Sequence, residues 1–144
     1  MQGIANTSVL LHDSRYLTMR LVDDGALAIL YARRTTEPFP SIDVTTAELT
    51  AVLNAVARVV DRSRAGVLYD LRAVSGRNEE SFDRLFFARR DEFYGGFHRV
   101  ALLVRSSVGR MQVERLFTSP TLRVRALLDE EGARGYLYEE TDTW

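Results

Sequence analysis

The sequence predicts a single α/β domain with a mixed β-sheet, in which an N-terminal β-hairpin is followed by alternating helices and parallel strands. Strand-like residues 16–22 and 26–32 flank a glycine-containing turn, which is the pattern of a hairpin. Residues 66–71 and 99–105 are short apolar runs typical of buried strands, and residues 122–127 are the last candidate strand. Helical periodicity separates these runs, and strands that alternate with helices favour a parallel sheet.

The predicted domain covers most of the chain. Its hairpin turns at Asp23-Asp24-Gly25, because glycine adopts positive φ without steric cost. Residues 1–15 are predicted to be an N-terminal lead, and the domain extends over residues 16–138. Residues 139–144 are expected to form a mobile tail.

The first helix is predicted to begin at Thr45. Thr45 and Glu48 have the Thr-x-x-Glu spacing of a capping box, in which each side chain satisfies a free amide at the helix start. Residues 33–44 contain Pro38 and Pro40 and are predicted to be a loop. The buried face of the helix is predicted from apolar residues at helical spacing, which are Leu49, Val52, Leu53, Val56 and Val60.

Three further helices follow the later strands. Asn78 is the predicted N-cap of the second helix, which carries an aromatic core face and ends at the glycine pair 95–96. The third helix is predicted to begin at Ser106 or Ser107. Asp129 is the predicted cap of a short fourth helix.

The composition excludes several kinds of chemistry. All 19 basic residues are arginine, and there is neither lysine nor cysteine, so Schiff-base, P-loop lysine and thiol chemistry are excluded. His12 and His98 lie far apart, and no metal or other cofactor is expected. A net charge of −1 does not favour nucleic acid. No leader or membrane-spanning run is visible, so no membrane insertion is expected. The expected location is the cytoplasm.

Two segments resemble a known domain family. After the hairpin come VLYDLRAVSGRNEESFDRLF, at residues 67–86, and RVALLVRSSVGRMQVERLF, at residues 99–117. Over roughly residues 16–138, the chain resembles STAS domains, the fold of sulfate-transporter tails and anti-sigma-factor antagonists. It is most similar to the bacterial group described as SpoIIAA-like or STAS/SEC14-like. The resemblance implies a regulatory module that acts through protein partners.

The resemblance also bears on phosphorylation. Family antagonists are switched by phosphorylation of a Ser or Thr at the start of the second helix, where this chain has Asn78-Glu79-Glu80-Ser81. A glutamate carries a fixed negative charge that no phosphatase removes. The phosphorylation switch is therefore not carried over to this position. Ser75 and Ser81 are the neighbouring candidates for phosphorylation.

The segment between the central strand and the second helix is a candidate partner-binding loop. It comprises Ser75, Gly76, Arg77 and Asn78, with Ser81 following in the helix. Open α/β sheets bind ligands and partners at the carboxyl ends of their strands, which is where this loop lies. The alternative is a turn with a helix cap, in which the glycine serves only the backbone.

The loop after the next strand is a candidate anion-binding site. Ser106, Ser107 and Arg110 combine two hydroxyl groups and a guanidinium with the free amides of a helix start. A serine cap followed by a solvated arginine explains the same residues. Both loops are expected at one edge of the sheet.

The second helix carries a candidate protein interface. Phe87 falls off the apolar face of the helix and lies near Arg89 and Arg90, and protein interfaces are enriched in aromatic residues and arginine. An ordinary solvated helix face is the alternative.

His98 needs a nucleophile or an orienting acid nearby to act as a general base. Without one, it is interpreted as a loop histidine.

Three functions are compatible with these features. The first is a non-catalytic regulatory or scaffolding module that binds a protein partner or associates with itself, with a homodimer as one form. The second is a carrier or sensor for a small apolar ligand, which the SEC14-like resemblance implies. The third is an enzyme using Asp70 and His98 with Arg77 or Arg110; it ranks last because no nucleophile, base and orienting group are arranged together.

Overall fold

A computed structural model describes residues 7–23, 25, 27–74, 80–117 and 119–139. These residues form one mixed six-stranded sheet with four α-helices, so the predicted fold class is confirmed. The strands are β1 (Thr7–Asp13), β2 (Leu17–Asp23), β3 (Ala28–Arg34), β4 (Ala65–Asp70), β5 (Arg99–Leu103) and β6 (Val124–Leu127). The helices are α1 (Ile42–Val59), α2 (Glu80–Tyr94), α3 (Ser107–Phe117) and α4 (Glu130–Leu137).

The order of the strands across the sheet is their order along the chain. Strands β1, β2 and β3 are antiparallel neighbours, and β3, β4, β5 and β6 are parallel. Right-handed crossovers that always step in one direction place their helices on one face. Accordingly Val56 of α1, Tyr94 of α2 and Phe117 of α3 share one apolar cluster, and Leu137 of α4 belongs to the cluster on the opposite face.

The prediction that residues 1–15 form a lead was wrong for residues 7–13. These residues are β1, which pairs with β2 in an antiparallel register that shifts between Leu10 and His12. The strand escapes notice in the sequence because its apolar and polar residues do not alternate. Pairing with β2 stabilises it instead. The outer boundaries of the domain stay a prediction.

The predicted hairpin is confirmed as β2 and β3, with its strands displaced by one or two residues. Gly25 lies in the connecting turn with a φ of 90°, and its amide donates to Asp23 Oδ1 at 2.8 Å. This left-handed conformation is the one for which glycine was expected.

The predicted capping box of α1 was wrong. Ser41 is the N-cap, and its hydroxyl oxygen accepts from the amide of Val44 at 3.1 Å. Thr45 lies inside the helix, fully buried, and its hydroxyl donates to the Ser41 carbonyl at 2.8 Å. The helix therefore starts about one turn earlier than the cap predicted at Thr45. Pro40 immediately precedes the observed cap and does not interrupt the helix.

Three other helix ends follow the predictions. Ser106 Oγ accepts from the amide of Gly109 at 3.1 Å, and Asp129 Oδ1 accepts from that of Gly132 at 2.6 Å. Gly96, with a φ of 84°, follows the end of α2. The predicted cap at Asn78 lies outside the described residues.

Helix α4 packs closely on its face of the sheet. Gly66 lies on β4 directly beneath it, and a Cβ atom there would be 3.1 Å from Leu137 Cδ2 and 3.4 Å from Ile29 Cδ1. The other members of this cluster are also buried, namely Leu68, Ala101, Leu103, Ala133 and Tyr136. The missing side chain of Gly66 therefore lets α4 approach the sheet.

Gly66→Ala is expected to lower the free energy of unfolding by about 1–3 kcal/mol, because the added methyl group overpacks the space below Leu137. Gly135→Ala is the matched control: it lies inside α4 with nothing within 4 Å of the added atom. It is expected to raise the free energy of unfolding by about 0.5–1 kcal/mol, because alanine favours helix. Urea denaturation measures both. A Gly66→Ala protein as stable as Gly135→Ala would contradict close packing of α4.

Candidate functional site

A large cavity lies between the sheet and the three helices of the other face. Its volume is about 960 Å³. Its walls are predominantly apolar, with a floor formed by the strands and a roof formed by the helices. The floor includes Leu17, Met19, Leu30, Ala32 and Val67, and the roof includes Leu49, Val52, Val56, Phe82, Phe86, Phe93, Val113 and Leu116.

The roof explains why the cavity exists. Val52 and Leu53 on α1 and Phe86 and Phe93 on α2 are apolar, but each is only partly buried because it borders the cavity. The predicted buried face of α1 is thus confirmed in its direction, with Leu49 and Val56 fully buried. Helices α1, α2 and α3 thus stand over this space with partly buried apolar side chains along it.

Arg34 places a charge in the wall of this cavity. It ends β3 and is only 6% exposed. Its Nε donates to the Tyr16 carbonyl at 3.0 Å and its Nη2 to the Glu37 carbonyl at 3.2 Å, while its guanidinium carbon lies 4.0 Å from the centre of the Phe39 ring. Among the described residues, no carboxylate oxygen lies within 4 Å of its nitrogens. Its charge is therefore buried, and the described part of the chain gives it no acidic partner.

Two tyrosines add polar groups to the same wall. Burial raises the pKa of Tyr69, although the charge of Arg34 and a hydrogen bond with Arg34 act in the opposite direction. Burial also raises the pKa of Tyr94 well above its ordinary value. Both phenols in the cavity wall are consequently protonated at neutral pH.

A cluster that the sequence did not reveal lies between β1 and α1. Glu48 Oε2 contacts His12 Nε2 at 2.6 Å and accepts a short hydrogen bond from the Ser14 hydroxyl. Ser14 Oγ also accepts from the amides of Tyr16 and Leu17, at 3.1 and 3.2 Å. Since the carboxylate lies between serine and histidine, the histidine has no path to the hydroxyl proton, unlike in a catalytic triad. The cluster instead fastens the β1–β2 turn to α1.

The candidate partner-binding loop is only partly described. Ser75, Gly76, Arg77 and Asn78 lie outside the described residues, and Ser81 is exposed in the first turn of α2. The residues on either side, among them Val74 and Phe82, line the cavity. Partner binding by this loop, and phosphorylation of Ser75 or Ser81, stay predictions.

The candidate anion-binding residues have local partners. Ser106 caps α3, Ser107 is exposed at its first position, and Arg110 Nε lies 3.6 Å from Glu114 Oε1. These contacts correspond to the alternative interpretation of a serine cap and a solvated arginine. Anion binding here stays a prediction.

The candidate interface residues on α2 contact one another. Phe87 is 48% exposed, as expected, and the Arg90 guanidinium stacks 3.9 Å above its ring while Arg90 Nη1 donates to the Phe87 carbonyl at 2.8 Å. Arg89 pairs with Glu92 and lies 5.1 Å from the Phe93 ring. The use of this surface as an interface stays a prediction.

The groups considered for an enzyme are not assembled. Asp70 pairs with Leu103 across the sheet, five residues beyond His98, which separates the two groups by roughly 16 Å along the strands. Burial and the charges of Arg99 and Arg123 lower the pKa of His98. Within the described ranges, no carboxylate lies within 4 Å of His98, and no three metal-ligating side chains come together. The structure therefore does not bring Asp70 to His98, and Arg77 lies outside the described residues.

Comparison with solved structures shows a SpoIIAA-like fold. The chain is similar to an uncharacterised protein of the DUF3478 family from Shewanella loihica PV-4, described as having that fold, with a TM-score of 0.55 and 14% identity. The alignment covers 95% of this chain and 98% of the other. The predicted resemblance is therefore confirmed for the fold.

Comparisons of the sequence alone find less. No model of a known protein family matches the chain, and neither does any curated protein. In the part of the chain that the structure describes, every helix is too short or too polar to cross a bilayer.

Asp70 provides a test of the electrostatics at the cavity edge of the sheet. Burial acts to raise the pKa of its carboxyl group, but hydrogen bonds from the Arg72 side chain and amide outweigh this, so the pKa is lowered. Arg72 Nη2 lies 2.9 Å from Asp70 Oδ2. A lowered pKa stabilises the fold above the unfolded value of about 3.9, and that contribution is lost as the pH falls through the folded value.

Asp70→Asn is accordingly expected to lower the free energy of unfolding by about 0.5–1 kcal/mol at pH 7, with the difference shrinking below roughly pH 4. Arg72→Gln is expected to do the same, and the double variant should lose less than the sum of the two. Denaturant unfolding between acidic and neutral pH measures all three. A difference that is equally large in acid would show that the ion pair is not its cause.

Proposed function

We propose that the protein is a non-catalytic STAS-like module that binds a small apolar molecule between its sheet and helices α1, α2 and α3, as a carrier or sensor. The observation that carries the proposal is the cavity of about 960 Å³. Small-molecule sites are mostly apolar, with a few polar groups, and measure about 300–1,000 Å³. The cavity and its arginine and tyrosines fit this description.

The contrast between the two faces supports the proposal. On the α4 face the missing side chain of Gly66 lets the helix pack close to the sheet, whereas α1 and α2 leave Val52 and Phe86, which line the cavity, only partly buried. An unfilled cavity loses dispersion contacts along its lining. A bound apolar molecule restores those contacts without moving the helices.

The position of the opening also supports it. Exposed residues in the cavity wall include Glu37 and Pro38 after β3, and Arg105 and Val108 after β5, with Val108 67% exposed. They follow the carboxyl ends of parallel strands, where open α/β sheets bind their ligands. A ligand therefore has a route from solvent at this edge.

Filling the cavity tests the proposal. The fluorescence of the neutral apolar probe N-phenyl-1-naphthylamine is expected to rise on binding to the wild-type protein. Ala32→Phe places a ring on the cavity floor and is expected to weaken binding by about tenfold or more, which corresponds to about 1.4 kcal/mol. Ala88→Phe, on the exposed face of α2, is the matched control and should bind as the wild type does.

Two results count against ligand binding. One is a wild-type protein that does not bind the probe; the other is an Ala32→Phe protein that remains folded and binds it unchanged. Native mass spectrometry of the purified protein adds an independent measurement. A non-covalently bound small molecule, displaced in Ala32→Phe but not in Ala88→Phe, supports the proposal.

A second candidate function is favoured by the exposed aromatic ring of Phe87. A regulatory or scaffolding module could use α2 to bind a protein partner or a second copy of itself, since aromatic residues and arginine are enriched at interfaces. Sedimentation over a wide concentration range is expected to show association that Phe87→Ser weakens. Val108→Ser, at an exposed apolar residue of α3, is the control. A monomer at every concentration would contradict self-association.

A further inference from the structure

We propose that the ligand of the cavity is an amphiphile with one carboxylate head group, and that Arg34 binds this head group while the apolar body fills the cavity. The inference rests on the proposed ligand-binding function and adds the chemical class of the ligand. It follows from three features of Arg34: its burial, the lack of an acidic partner among the described residues and its unused hydrogen-bond donors.

A buried charge is costly unless an opposite charge compensates it. Among the residues that the structure describes, Arg34 is the one charged residue that is buried. Two carbonyl oxygens accept hydrogen bonds from the Arg34 guanidinium and the Phe39 ring packs against it, but these groups carry no formal charge. A bound anion would supply the missing countercharge from within the cavity.

The other arginines in the cavity wall have no such need. Arg62 donates to the carbonyls of Glu92, Phe93 and Gly95 at the end of α2, where the negative end of the helix dipole compensates its charge. Arg105 and Arg115 are exposed to solvent. Their charges are therefore compensated or hydrated without a ligand.

Arg34 retains hydrogen-bonding capacity. A guanidinium has five N–H donors, and the hydrogen bonds to the carbonyls of Tyr16 and Glu37 use two of them. The phenol of Tyr69, whose pKa the charge of Arg34 acts to lower, lies in the same cavity wall. The remaining N–H groups and this phenol together present donors to a planar anion with two oxygens.

The charge balance favours a head group with a single negative charge, such as a carboxylate, over a phosphate monoester. Arg34 supplies one positive charge, which one carboxylate neutralises, whereas a phosphate monoester carries up to about two negative charges. The apolar lining of the cavity accounts for the rest of the ligand.

Matched ligands test the inference in the wild-type protein. Dodecanoate, dodecanol and dodecylamine share one apolar chain and differ in the charge of the head group, and each is titrated against bound N-phenyl-1-naphthylamine. Dodecanoate is expected to displace the probe at roughly tenfold to hundredfold lower concentration than dodecanol, as for a hydrogen bond to a charged group. Dodecylamine is expected to be the weakest.

Variants of Arg34 separate head-group binding from a structural role. Arg34→Gln is expected to remove the preference for dodecanoate over dodecanol. Dodecanol itself is expected to bind within about threefold of its wild-type affinity, a change in binding free energy of less than about 1 kcal/mol. Arg34→Lys keeps the positive charge and is expected to keep part of the preference. Circular dichroism establishes whether each variant is folded, and the wild-type comparison of the three ligands needs no variant.

The outcomes distinguish the two proposals. Equal binding of dodecanoate and dodecanol by the wild type overturns the carboxylate inference but leaves ligand binding in place. The carboxylate inference is also overturned if Arg34→Gln is folded but weakens the binding of dodecanoate and of dodecanol by the same factor. Arg34 would then only support the cavity. Failure of all three ligands and of the probe to bind refutes the proposed function, and the inference with it.

Discussion

The handedness of three successive crossovers determines where everything else in this molecule lies. From β3 onwards the chain adds each new parallel strand on the same side of the previous one. Right-handed connections then place α1, α2 and α3 on a single face and leave the opposite face to α4 alone. The asymmetry of the domain follows from this topology before any side chain is considered.

The two faces solve the packing problem differently. On the α4 face the small residues Gly66, Ala101 and Ala133 bring an eight-residue helix close to the sheet. On the other face, three longer helices span the same sheet with bulky side chains at their edges. There the helices stand over a cavity, and the only buried charge in the described residues lies in its wall.

Most elements of the fold could be predicted because they have a local signal in the sequence. The buried strands are apolar runs, and Ser106, Asp129 and Gly96 mark helix ends by their own chemistry. Strand β1 has no such signal, because pairing with β2 creates it. Ser41 was missed because Thr45 and Glu48 offered an equally regular capping pattern. Propensity alone does not rank two acceptable caps.

The candidate site was harder to predict. Nothing in the sequence distinguishes Arg34 from the other 18 arginines, since its burial depends on how Tyr16, Glu37 and Phe39 fold around it. The volume of the cavity depends on the distance between helices and sheet, which no periodicity encodes. Glu48 is 34 residues from Ser14 and 36 from His12, and only the tertiary fold brings it to them.

The irregular register of β1 has a consequence for how the molecule behaves among its copies. Strand β1 is at the edge of the sheet, where unpaired amide and carbonyl groups offer a template for another strand. The bulge between Leu10 and His12 interrupts this row and increases the local twist, so an incoming strand cannot keep its register along the whole edge. The defect in pairing thus protects the sheet against growing from one molecule into the next.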